Sequence, residues 1–351
     1  MHISTGGTIA QQKNAEGVAV PANHDVLIFS KLNDIAMRHG ISADINSISL
    51  LNKDSSNIIP SDWTLLIDTL AKEYDNYDAF IITHGTNTLG YTAAALSYAL
   101  GKIGKRIILT GSQVSYGYIG SDAEMNLANS VRMATYDKHH IAGVFAVFGS
   151  NIITGTRVKK TTEFDYDAFK TFGGKNSIGR IGRTIKIDDR AALQFHMQWL
   201  KPHADCKKDL DIKSNFETNI ISLTEYPGMS SETLISLVNL GIKGIIYRAS
   251  GAGDPNIGNA EATFPNLRAG FEYLREKKIP IVVTTQASDG IASMDVNEPG
   301  MLACELGAIP AWDMSIEAMT VKLMWLLGQN MSYEDIQSQM ITSIRGEIDP
   351  Y

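Results

Sequence analysis

The sequence predicts an α/β protein of two domains, and three observations carry that prediction. The 351 residues exceed the usual size of one domain and leave each of two enough chain to bury its own core. Short apolar runs alternate with segments of helical spacing, the pattern of βαβ units and a mostly parallel sheet. One stretch, Ala79 to Leu96, changes from a strand (Ala79-Phe-Ile-Ile) through His84-Gly-Thr-Asn-Thr88 to an alanine-rich helical run. Ligands bind in the crevice at the carboxyl ends of such strands, so Thr86, Asn87 and Thr88 stand where chemistry is expected.

The remaining elements follow in order. A very short first strand enters a second Gly/Thr turn, Ser4-Thr-Gly-Gly-Thr-Ile9. Ala10 to His24 is polar, contains Gly17 and Pro21, and reads as a long mobile loop of the kind that forms a lid. Asp25 to Arg38 has helical spacing, and Ala43 to Leu51 reads as a strand ending in the polar run Asn52-Lys-Asp-Ser-Ser-Asn57. Trp63 to Tyr74 is an amphipathic helix, and Arg106 to Thr110 and Gly143 to Phe148 are strands, while Asn151 to Phe172 reads as an irregular, solvated loop. These make a larger domain over residues 1–200. The charged, aperiodic segment 201–217 is the expected linker, and 218–351 form a smaller α/β domain with strands at Ile220, Gly244 and Ile281. Near its end Asp313 is expected to cap a helix running towards Gly328, and Ser332-Tyr-Glu-Asp335 has the capping-box pattern for the next.

Composition narrows the class of partner. Thirty-eight acidic against thirty-one basic residues, with no dense basic tract, argue against nucleic acid and for a small molecule. No apolar run reaches membrane-spanning length, and the amino terminus lacks the succession of a signal peptide. The two cysteines, Cys206 and Cys304, have neither disulfide-framework nor zinc spacing, which fits a reduced cytoplasm. The histidines show no metal-ligand spacing with carboxylates, so no metal is expected.

The chemistry therefore rests on hydroxyls. The Thr5-Gly-Gly-Thr8 turn is neither a dinucleotide fingerprint nor a P-loop. One threonine at a turn is usually a hydrogen-bonding turn residue, but two such strand ends in one chain suggest a shared pocket. A hydroxyl becomes a useful nucleophile beside a base, and a lysine with its charge suppressed can serve; Lys160 is the candidate and Lys159 its near neighbour. His84, at a buried strand end, reads as a satisfied core imidazole. The Asp54-Ser-Ser-Asn57 strand end reads as a turn or a ligand-binding loop.

Taken together, Thr5-Gly-Gly-Thr-Ile-Ala10 and His84-Gly-Thr-Asn-Thr88 resemble the two signature motifs of the bacterial-type L-asparaginase family, which extend to an archaeal glutamyl-tRNA amidotransferase subunit. Asp54-Ser-Ser, Thr110-Gly-Ser-Gln113, Ser121-Asp122, Asp167-Ala-Phe169, Tyr226-Pro-Gly and Gly251-Ala-Gly-Asp254 extend the likeness over nearly the whole chain, closest to the cytoplasmic type I branch. The resemblance implies an asparaginase-like two-domain architecture and cofactor-free hydrolysis of the asparagine side-chain amide to aspartate and ammonia. By matched position, Thr8 is the nucleophile and Thr86 and Lys160 are the second threonine and the catalytic lysine. Asn87 stands in both the catalytic and the substrate-binding sets. Ser55 and Ser56 match the loop that holds the substrate's α-carboxylate. Asp254 matches a segment that reaches a neighbouring protomer's pocket, which implies a homodimer or a dimer of dimers.

Two positions depart from the family. Asn87 stands where the family has an aspartate that pairs with the substrate's α-ammonium, and no tyrosine follows Thr8 at the lid, where Val18 or Ala19 takes its approximate place. Loss of one charged partner of a desolvated ammonium costs about 2–4 kcal/mol. Two further readings follow from these departures: a hydrolase of a related amide without a free α-amino group, and a catalytically silent homologue that binds an amino acid.

Overall fold

The computed structural model describes residues 1–14, 16, 19–21, 25–136, 138, 141–173, 177–189, 210–258, 262–288 and 290–349. The chain forms two compact units, the larger of Met1–Thr171 and Lys175–Ser214 and the smaller of Phe172–Gly174 and Asn215–Tyr351. Residues 201–209 of the expected linker lie outside the described residues, as does Val18.

In the larger unit the described strands are β1 (His2–Gly6), β2 (Gln11–Lys13), β3 (Ala19–Pro21), β4 (Ser47–Lys53), β5 (Ala79–Thr83), β6 (Arg106–Thr110), β7 (Gly143–Phe148), β8 (Asn151–Thr154), β9 (Val158–Lys160), β10 (Phe169–Thr171), β11 (Gly179–Ile181) and β12 (Ile185–Ile187). Its helices are α1 (Asp25–Arg38), α2 (Pro60–Glu73), α3 (Leu89–Ala99) and α4 (Ala123–Ala134). Among the described residues an eight-stranded sheet runs in the order β12-β11-β8-β7-β6-β5-β1-β4. The five strands from β7 to β4 are mutually parallel, and β8, β11 and β12 join as antiparallel neighbours.

The order of these parallel strands decides where a ligand can sit. By order in the chain they stand second, first, third, fourth and fifth, so the direction of winding reverses between β1 and β5. A crevice opens outside the strand ends at such a switch point. The two Gly/Thr turns leave β1 and β5, one on each side of it.

The parallel strands are buried on both faces. Phe80, Ile82, Ile107, Ile108 and Leu109 are fully buried, and β7 is buried throughout, as near-continuous apolar runs require. Helix α1 turns Ile28, Leu32 and Ile35 towards Leu127 and Val131 of α4, and α2 packs on α3. Each such aliphatic side chain contributes about 1.5–3 kcal/mol when fully buried.

Three expectations are corrected. The expected loop Ala10 to His24 contains an antiparallel hairpin, with Gln12 opposite Val20. Asn151 to Phe172 is likewise not a solvated loop: it holds β8, β9 and β10, and Arg157 is buried. The helix expected to start at Asp313 is capped by Ser315, whose hydroxyl accepts from Ala318 N at 3.1 Å, while Asp313 accepts from Asp349 N. Ser315 immediately precedes the first helical residue and has the short hydroxyl side chain that caps favour.

The smaller unit carries β13 (Ile220–Thr224), β14 (Gly244–Ala249), β15 (Ile281–Thr285) and β16 (Ile309–Pro310), parallel and side by side in chain order. Its described helices are α5 (Ser231–Asn239), α6 (Arg268–Glu276), α7 (Glu298–Glu305), α8 (Ile316–Gly328) and α9 (Tyr333–Met340). Leu234, Phe271 and Leu274 pack with Ile245, Tyr247 and Val283 to form its core. Ser332 caps α9 as its pattern predicts, accepting from Asp335 N. Lys322 of α8, fully buried, pairs with the fully buried Glu347 at 2.6 Å and so fixes the final segment to the helix. Burial alone raises the Glu347 carboxyl, but the ammonium and the N–H groups of Ile344 and Arg345 outweigh it and hold the group below its ordinary value. Among the described residues no helix is long and apolar enough to cross a membrane.

Candidate active site

The site begins with glycine, because three strand ends must touch. Gly7 follows β1 with φ 81°, a left-handed conformation that glycine adopts without strain. A Cβ there would lie 2.2 Å from Gly85 N, and a Cβ on Gly85 would lie 2.6 Å from Ser55 Oγ. The turns after β1, β5 and β4 are therefore in contact. Thr8, Thr86 and Ser55 are carried on adjacent backbones, although the chain separates them widely.

Thr8 opens a single 3-10 turn, Thr8–Ala10. It is half-buried, and its hydroxyl makes no hydrogen bond to any described residue. Thr5 differs: its hydroxyl donates to Thr83 O at 2.9 Å and ties β1 to β5. Of the two threonines in the first motif, Thr8 alone is left uncommitted.

Thr86 is buried, and Lys160 Nζ donates to its Oγ1 at 2.8 Å. The same ammonium donates to Asn87 Oδ1 at 3.2 Å. Strand pairing explains why Lys160 is the lysine that arrives. It stands directly opposite Phe169, whose buried ring packs on Phe148 at 4.8 Å between centroids. Lys159 stands opposite Lys170, and successive side chains of a strand point to opposite faces. Burial lowers the pKa of Lys160, and the charges of Glu163 and Asp54 partly oppose the shift.

Asn87 joins the second turn to the serine loop. Its backbone N–H donates to Ser55 Oγ and its Nδ2 to Ser56 Oγ, each at 3.1 Å. Both serine oxygens accept here; the Ser55 O–H is left to donate to a ligand, while the Ser56 hydroxyl also bonds to the Asp54 carboxylate. Thr88 Oγ1 donates to Ser55 O at 2.7 Å and closes the same connection. Asp54 caps the 3-10 turn Ser55–Asn57 by accepting from Ser56 N at 2.8 Å.

The other strand ends are held from the start of α4. Buried Asp122, part of the Ser121-Asp122 match, accepts from Gln113 N and Val114 N after β6, and Asn126 bonds to Gly111 O and to Gly149 N after β7. Asn126 is the residue motif matching missed, and its place four residues after Asp122 is the one signal for it in the sequence. His84 is a satisfied core imidazole: Nδ1 donates to Gly85 O and Nε2 accepts from Thr92, whose oxygen also accepts from Trp63 Nε1. Burial lowers its pKa to about 4, so the ring is neutral.

Thr86, Asn87, Lys160, Ser55 and Ser56 thus form one hydrogen-bonded group, and Thr8 follows Gly7, whose backbone packs on that of Gly85. Asp254 belongs to the smaller unit, in the turn after β14, where it accepts from Asn297 Nδ2 at 2.7 Å. Among the described residues no group of three or more His, Cys, Asp or Glu is arranged to hold a metal ion. The arrangement offers a free hydroxyl, a second hydroxyl bonded to a lysine whose charge burial disfavours, and the Ser55 hydroxyl as a donor. These are the parts that nucleophilic attack on a carbonyl and binding of a carboxylate require.

Comparison with known proteins agrees with this geometry. The family domain described as "Asparaginase, N-terminal" matches residues 1–193, and the "Glutaminase/Asparaginase C-terminal domain" matches 219–340. L-asparaginase 1 of Escherichia coli is 30% identical over 353 residues, covering 99% of this chain and 96% of that protein. A glutamyl-tRNA(Gln) amidotransferase subunit of Pyrococcus abyssi is 32% identical over 359 residues, covering 99% of this chain and 76% of that protein. The solved thermostable L-asparaginase from Thermococcus kodakarensis superposes with a TM-score of 0.82 at 30% identity, covering 100% of this chain and 99% of that one. By its two matched domains, its relatives and its fold, the chain belongs to the asparaginase family.

Proposed function

We propose that this chain hydrolyses the side-chain amide of L-asparagine to aspartate and ammonia, with Thr8 as nucleophile and Thr86 with Lys160 as the activating pair. The observation that carries the reading is the 2.8 Å bond between Lys160 and Thr86, on a turn packed against the one that carries Thr8. Burial favours the neutral amine of Lys160, which then accepts a proton through Thr86.

The step balances as follows. Thr8 Oγ1 attacks the amide carbon while its proton passes to the Thr86 and Lys160 pair. The pair returns that proton to the departing nitrogen, the C–N bond breaks, ammonia leaves and an ester to Thr8 remains. Water then adds to the ester carbon, the C–O bond to Thr8 breaks, and the free hydroxyl and a carboxylate are restored. Ser55 and Ser56 hold the α-carboxylate, Ser55 by donating its O–H. No cofactor takes part. The enzyme works in the cytoplasm as a homodimer or dimer of dimers, with Asp254 contributed to a neighbour's site.

Asn87 favours a second reading, in which the amide lacks a free α-amino group, because a neutral side chain attracts an ammonium less than a carboxylate does. Ammonia release from L-asparagine, L-glutamine, succinamate and N-acetyl-asparagine, with calorimetric binding of each, separates the readings. Turnover of asparagine is the expected result, and it should fall on dilution together with particle mass in light scattering. Turnover confined to amides without the amino group would establish the second reading. Binding of asparagine with no ammonia from any amide would show a silent homologue, and full activity in a monomer would remove the composite site.

A further inference from the structure

Asn87 leaves the site without a carboxylate at the centre of the second motif, yet the structure places another nearby. Asp54 is one residue from the Asn87 hydrogen-bond group: its Oδ1 accepts from Ser56 N at 2.8 Å, and Ser56 Oγ accepts from Asn87 Nδ2 at 3.1 Å. Its other oxygen accepts from Gln11 Nε2 at 3.2 Å. Gln11 is buried and begins the strand directly after the Thr8 turn, so Asp54 is held from both sides of the site.

Two properties make this carboxylate more than a turn cap. Its donors, the Ser56 N–H and hydroxyl and Gln11 Nε2, are all neutral, and it has no ion-pair partner among the described residues, so its negative charge is unspent. It is also half-buried rather than fully solvated, which preserves its field inside the site. The field is felt by Lys160, since the charge of Asp54 works against the burial that lowers the lysine's pKa. Asp54 itself is held below its ordinary value, first by the Ser56 N–H, and is ionised at neutral pH.

We propose that Asp54 supplies the negative charge that meets the substrate's α-ammonium in this chain, with Gln11 holding its carboxylate in place and Asn87 contributing only neutral hydrogen bonds. The proposal rests on the amidohydrolase reading above. It makes Asp54 a specificity residue, because an amide without the amino group has nothing to gain from it. The Ser55 hydroxyl remains for the α-carboxylate, so the two ends of a zwitterion are received by different groups of one loop.

The test compares L-asparagine with succinamate, which differs in lacking the α-amino group, in wild type and in Asp54→Asn. The variant keeps the oxygen that caps the turn and removes the charge. The ratio of kcat/KM for asparagine to that for succinamate should fall about tenfold or more, mainly through KM for asparagine. Adding Asn87→Asp to Asp54→Asn should restore much of the ratio. An unchanged ratio, with both substrates losing equally or neither losing, would overturn the assignment and leave Asp54 as a cap. Wild-type activity on succinamate alone would also overturn it, while the amidohydrolase reading would stand. No ammonia from either amide in wild type would mean that the underlying reading, and the assignment with it, has failed.

Discussion

Asn87 and His84 belong to one motif, and their different fates show what a residue's surroundings decide. Asn87 is exposed and linked by hydrogen bonds to Lys160 and Ser56, whereas His84, three positions earlier, is fully enclosed. The enclosed role of His84 was legible in the sequence, because an imidazole at the end of an apolar strand has no water to turn to. The Gln11 partner of Asp54 was not legible, since the two meet only after two strand ends are brought side by side. The neutrality of His84 has a consequence for stability. Its pKa is about 4 in the folded chain against 6.5 in the unfolded, so the unfolded state binds the proton more readily between those values. The associated stability is fully present above pH 6.5 and is lost as pH falls, at most about 1.4 kcal/mol per pH unit until the folded ring also protonates. Urea unfolding of wild type and His84→Gln from pH 7 to pH 4.5 checks this. The wild-type free energy should fall more steeply with decreasing pH than that of the variant, and parallel slopes would refute the assignment.

At the scale of elements, long apolar segments were legible and short ones were not. Helix α1 and strands β5, β6 and β7 carry enough apolar positions to show their period. The hairpin of β2 and β3 and the pair β9 and β10 have strands of three residues each, too short for alternation to be seen against a polar background. The site depends on one of these short strands. Alternation along β9 turns Lys160 towards Thr86 and places Lys159 opposite Lys170, so the two neighbours should differ sharply when each is changed to methionine. Lys160→Met should reduce kcat by about a hundredfold or more, since it removes the group that takes the proton. Lys159→Met should stay within about threefold of wild type. A larger loss from Lys159→Met than from Lys160→Met in steady-state ammonia release would place the lysine register one residue away.

For the whole molecule, the parallel sheet of the larger unit was legible from the alternation of strands and helices, but the strand order was not. No local pattern states that β1 lies between β4 and β5. That order is a long-range outcome, and it is what brings two threonine turns so far apart in the chain to one switch point. The hydroxyl of Thr8 has no hydrogen bond to a described residue, so replacing it with valine keeps most of the side-chain volume and sacrifices no visible protein contact. The measurement that tests the account most directly is kcat/KM for L-asparagine in Thr8→Val, read beside the melting temperature. With Thr8 as the nucleophile, the loss should be at least about a thousandfold with the melting temperature within about 3 °C of wild type. Turnover within about tenfold of wild type in the folded variant would contradict it and remove Thr8 as the nucleophile.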